Sequence, residues 1–128
     1  MLAVDTNVLI RLIVGDDIVQ SPRALVLFEE NDVWIATTVL LETEWVLRRV
    51  YRYGREPLAR AIGSIAGLPN VQLEHPERLA AALARMQAGA DFADALHVAG
   101  SGSAVHFVTF DKDCLRAETP GDTPVRLI

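Results

Sequence analysis

Short apolar runs, each followed by a helical pattern, recur along the chain, and this alternation narrows the choice of fold more than any other feature. "LAVDT" (2–6) leads into "NVLIRLIVG" (7–15), which stops at glycine. "SPRALVLFEEND" predicts a helix with Ser21 as its N-cap and Pro22 at its first position, running to about Glu30. The strand-like run 33–37 precedes a long helix over 38–54 that closes on Gly54, and a further helix covers 56–68. A brief strand at 71–74 is followed by helical patterns over 76–89 and 89–102. Strands are expected at 105–110 and 125–128, with a loop between. Strands separated by helices pair in parallel, because only a long crossover returns the chain to the same end of a sheet. The expectation is an α/β fold in three layers, α/β/α, with a parallel sheet of about five strands.

In such sheets ligands gather at the carboxyl ends of the strands. Asp5 follows "LAV", Asp111 follows "VHFVTF", and Asp91 and Asp94 open the helix "DFADALHVA". Each has a plain structural reading. Asp5 suits an N-cap or Asx turn onto "TNV", and Asp111 a turn in "FDKD". Asp91 suits an N-cap with Asp94 reaching back, a variant of the capping box. Asp113 reads as the N-cap of a short "CLRAE" helix. Glu42 stands out for another reason: its helical neighbours Val39, Trp45 and Val46 place it within an apolar face, where a charge needs compensation. Glu44, with Arg48 four residues on, reads as half of a surface ion pair.

Taken together, Asp5, Glu42, Asp94 and Asp111 make a candidate carboxylate cluster. Like charges at close quarters do not all ionise unaided. A divalent cation removes the conflict, and oxygen ligands select magnesium or manganese over zinc. No cysteine–histidine set with zinc spacing exists; His75, His97 and His106 are scattered, though His97 lies one turn after Asp94. A metal held by acids, without a serine or cysteine nucleophile paired to histidine, points to phosphate chemistry with metal-activated water. The chain lacks the "GxxxxGK" pattern of a P-loop.

"VDTNVLIRL", "TTVLLETEWVLRR", "DFADALHVA" and "VTFDKD" resemble, in that order, the four acidic motifs of PIN-domain ribonucleases, and most closely those of VapC-type toxins. The resemblance spans nearly the whole chain. It implies that Asp5 and Asp94 are the principal metal ligands, with Glu42 and Asp111 completing the catalytic quartet directly or through water. It implies that Thr109 orients an acid and that Asn7 is the polar neighbour of the first one. It also implies that Asp91, besides capping the helix, adds an outer contact to the negative pocket. The implied activity is a magnesium- or manganese-dependent endoribonuclease cutting RNA, the toxin half of a type II toxin–antitoxin pair. The implied partners are a cognate antitoxin and a second copy in a homodimer, with DNA met only through the antitoxin.

Composition sets the remaining bounds. With 128 residues, 51% apolar and 23% charged, residues 1–128 are expected to form one globular domain. No stretch is apolar for long enough to span a membrane, and no secretory leader is expected, since none is visible before the first strand-like run. The sole cysteine, Cys114, excludes an internal disulfide and points to the cytoplasm. The net charge of −5 argues against bulk electrostatic capture of nucleic acid. Phosphate contacts then fall to local cations: Arg48, Arg52 and Arg55 at helical spacing, Arg49 beside them, or Arg11. The same arginines also suit a helix C-terminus. Met86, Trp34, Trp45 and Phe28 read as core or interface. Three alternatives stand beside the toxin reading. One is a PIN-type RNA-processing nuclease without an antitoxin. A magnesium-dependent phosphatase is another, although "DTN" lacks the second acid of a "DxD" motif. The third is an α/β scaffold whose acids are only caps and turns.

Overall fold

The computed structural model describes residues 1–128 and contains the expected strands and helices. Residue contacts divide the chain into two compact units, Met1–Pro76 and Glu77–Ile128. In chain order the first holds β1 (Leu2–Ala3), α1 (Thr6–Val14), α2 (Gln20–Glu30), β2 (Val33–Ile35), α3 (Thr37–Arg49), α4 (Arg55–Ala66) and β3 (Val71–Leu73). The second holds α5 (Pro76–Gln87, beginning at the boundary), α6 (Phe92–Ala99), β4 (Phe107–Thr109), a 3-10 helix (Lys112–Ala117) and β5 (Val125–Leu127). The class is the one expected, α/β with parallel strands, and no helix is long and apolar enough to cross a membrane.

In the first unit the strand order is β1-β2-β3, all parallel, with Leu2 opposite Val33 and Val33 opposite Val71. Val33 and Ile35 of the central strand are fully buried, as a strand flanked on both sides should be. Each crossover carries two helices, α1 and α2 after β1, and α3 and α4 after β2. In the second unit β4 and β5 form a parallel pair, Phe107 opposite Val125 and Thr109 opposite Leu127, joined through the 3-10 helix. The five strands are thus hydrogen-bonded as three and two.

Several helix ends lie elsewhere than the sequence suggests. Ser21 is not the N-cap of α2. The helix starts at Gln20, and Asp17 Oδ1 accepts the N–H groups of Val19 (2.9 Å) and Gln20 (2.7 Å), so a carboxylate placed earlier takes over the capping. The helix expected to reach Gly54 ends at Arg49, and Arg52 lies beyond it in the left-handed region at φ 59°. Arg52 and Arg55 therefore do not continue the helical row begun by Arg48 and Arg49. Met86 and Phe28 are core residues, whereas Trp45 is half exposed.

The two glutamates of α3 exchange places relative to expectation. Leu40, Thr43, Glu44 and Leu47 form the buried stripe, at the spacing of one helix face. Glu44 is 3% exposed and accepts a 2.8 Å hydrogen bond from Arg48 Nε, so the ion pair exists but its carboxylate is interior. Glu42 is exposed. The apolar residues around it, Trp45 above all, flank the core-facing stripe instead of composing it.

Candidate metal centre

In the second unit the backbone places two of the four sequence-predicted acids together. α6 begins after Asp91, whose Oδ1 accepts the N–H of Asp94 at 3.0 Å, so Asp91 is the N-cap. Asp94 sits in the first turn, half buried. Asp111 follows β4 directly and caps the 3-10 helix, its Oδ1 accepting the N–H of Asp113 at 2.9 Å. Asp113 is therefore not the cap, contrary to expectation: the turn begins two residues earlier, at the strand end. A carboxylate oxygen of Asp94, one of Asp111 and the Cys114 sulfur all lie within 4.8 Å of one another.

Thr109 fixes this arrangement from below. Its Oγ1 accepts the backbone N–H of Asp111 at 3.0 Å, and its hydroxyl reaches Cys114 Sγ at 3.8 Å. The 3-10 helix returns Cys114 toward the strand end, and Arg85 of α5 holds that helix by donating Nε–H and Nη2–H to the Arg116 carbonyl at 3.1 and 2.9 Å. Burial pushes the Asp94 carboxyl above the ordinary carboxylate range, and the charges of Asp91 and Asp111 push the same way. The Cys114 thiol, donating to Asp94, and the nearby His97 pull it partly back. Burial raises the Cys114 thiol too, against the lowering effect of the Thr109 hydroxyl. Asp94 and Asp111 supply carboxylate oxygens, which suit a hard divalent ion such as magnesium or manganese. The cluster fits such an ion chemically, because crowding that raises one acid's proton affinity is relieved by a positive charge.

The other two acids belong to the first unit and follow adjacent parallel strands. Asp5 stands at the carboxyl end of β1 and caps α1, its Oδ1 accepting the Val8 N–H at 3.1 Å. Glu42 lies in the second turn of α3, which begins just after β2. Both are exposed, as is Asn7, while Thr6 between Asp5 and Asn7 is buried. β1 and β2 run the same way, so Asp5 and the N-terminal end of α3 share one edge of the three-stranded sheet. That is the edge at which parallel sheets present ligand-binding groups.

Sequence reasoning did not single out Cys114 as a neighbour of the acids. The available signal was its position three residues after Asp111, which a helical turn brings back over the strand end. It also passed over Gln20 and Arg23, whose proximity to Asp5 depends on how α1 and α2 pack.

No curated protein and no solved structure matches the chain. A comparison with protein families matches residues 2–119 to the PIN domain, a span that takes in all four motifs. The chain belongs to the PIN domain family, whose members are generally nucleases dependent on divalent metal ions.

Proposed function

We propose that this chain, acting as one domain over residues 1–128, is an endoribonuclease and the toxin of a type II toxin–antitoxin pair. The observation that carries the reading is the family match over 2–119 together with the order of the four acids in motifs of VapC type. Asp5, Glu42, Asp94 and Asp111 are the catalytic acids on this reading. Asp94 and Asp111 bind the metal with Asp5, and Glu42 completes the set directly or through water. Thr109 positions Asp111 through the backbone bond already described, and Asn7 is a polar neighbour for the substrate or for Asp5. Magnesium or manganese, when bound, supplies activation of water and neutralisation of phosphate charge. The residues themselves hold and orient: cap hydrogen bonds fix one oxygen each of Asp5, Asp91 and Asp111.

The RNA substrate, a cognate antitoxin, a homodimer and a cytoplasmic location belong to the same proposal. The test is cleavage of single-stranded and structured RNA by purified protein with manganese, with magnesium, and with EDTA. Internal cuts that need the metal are expected, and Glu42→Gln should reduce them strongly. Metal-independent cleavage, or none of any RNA, overturns the reading. Expression in a host lacking the partner separates toxin from processing nuclease: growth arrest is expected, and harmless accumulation of active enzyme rejects the toxin role.

A further inference from the structure

We infer that the groove between α1 and α2 holds a phosphate of the RNA strand beside Asp5, with Arg23 as the contacting cation and Arg11 as its fixed neighbour. This deepens the nuclease reading and rests on it for the identity of the ligand. The groove has a volume of about 310 Å³ and is lined by Asp5, Asn7, Arg11, Gln20, Arg23 and Leu27 among others. It lies within the first unit and includes the first acid and its polar neighbour, so whatever fills it meets Asp5. Its size is at the lower end for small-ligand sites, suited to a single nucleotide unit.

The two arginines differ in a way that assigns their parts. Arg11 is braced: its Nε–H donates to Gln20 Oε1 at 2.7 Å, and Nη1 reaches Asp16 Oδ1 and Tyr51 Oη, each at 3.4 Å. That leaves the Nη2 donors of a guanidinium whose orientation is already set. Arg23 is exposed and makes no hydrogen bond or ion pair within the chain, although it lines the same groove. In a chain of net charge −5, general attraction for an RNA backbone is absent, so phosphate binding must come from cations placed locally. One braced and one unpaired guanidinium next to a catalytic acid meet that requirement. Val8, Ala24 and Leu27 supply an apolar wall against which a ribose or base packs.

The test uses full-length protein carrying Asp94→Asn, which is expected to stop turnover and replaces none of the residues that line the groove. Binding of a fluorescein-labelled single-stranded RNA is followed by anisotropy across a salt series, with Arg23 intact and as Arg23→Ala or Arg23→Lys. Arg23→Ala is expected to weaken binding roughly fivefold at low salt. It should also lower the slope of log affinity against log salt by about 0.7, the value of one single-strand phosphate. Arg23→Lys should keep the slope. In the otherwise native enzyme, Arg23→Ala should raise KM more than it lowers kcat. Unchanged affinity and slope in Arg23→Ala overturn the inference, and if metal-dependent cleavage by the native chain persists, the nuclease reading stands without it. If the native chain cuts no RNA but Arg23→Ala still lowers affinity and slope, the groove stands and the nuclease reading falls. Arg23→Ala that spares RNA binding but weakens binding of an acidic peptide assigns the groove to a protein partner and likewise rejects the inference.

Discussion

The two units handle their acids in opposite ways. In Met1–Pro76 the carboxylates are dispersed and, apart from the Arg48-paired Glu44, wholly or partly exposed, and Asp17 has its proton affinity lowered by the Gln20 and Val19 N–H groups it accepts. In Glu77–Ile128 two carboxylates and a thiol are gathered at one strand end, and Asp94 is raised by burial and by its acidic neighbours. A cap gains from negative charge, whereas a crowded cluster suffers from it until a cation arrives. The contrast separates an acid that serves folding from one that folding tolerates.

The largest expected effect lies in the crowded unit. Asp94→Asn should lower metal-dependent RNA cleavage by more than about 100-fold, beyond the usual loss for a group one shell further from a metal. Far-UV circular dichroism should stay unchanged. Asp5→Asn in the dispersed unit should do the same, and full activity in either variant would break the proposal that acids of both units serve one reaction.

Next comes the coupling of metal to pH. Because the folded value of Asp94 lies above its ordinary 3.8, its contribution favours the folded state below that pH and is lost as pH rises through the folded value. Metal and proton therefore compete for one group. Manganese at about 100 times its dissociation constant should stabilise the protein by about 2.7 kcal/mol near neutral pH. It should do much less near pH 4, as read from paired melting curves. An equal shift at both pH values would mean that the ion binds elsewhere.

Asp17 has the reverse sign: its depressed folded value gives stability present above 3.8 and lost as pH falls through that lower value. Asp17→Ala should lower the melting temperature by a few degrees near neutral pH and flatten the acid-side decline. The smallest effect belongs to Asp113→Asn, where only the backbone N–H is engaged; both melting temperature and cleavage rate should remain close to native. A large loss of cleavage there would show that Asp113, not Asp111, is the working acid after β4.

The alternation of strands and helices, and the acids that end β1 and β4, are legible in the sequence because they depend on local periodicity and on turn chemistry. The caps of α1 and α6 are legible for the same reason. What escaped reading comes from contacts remote along the chain. The free N–H of Thr37 at the start of α3 is taken by Glu74 at 3.0 Å, from the end of β3. Asn70 closes the end of α2 by donating to the carbonyls of Phe28 (2.6 Å) and Asn31 (2.7 Å). The orientation of α3 was equally hidden: two glutamates two residues apart lie on opposite sides of a helix, and apolar neighbours alone do not say which side meets the core. Glu44 entered the interior because Arg48, one turn on, accompanies its charge.

Cys114 gives the cluster a chemical clock. It is the only sulfhydryl in the chain and is almost fully covered, so a bulky disulfide reagent reacts with it only when the structure around it opens locally. The rate of that single modification reports local opening beside the acids in native protein.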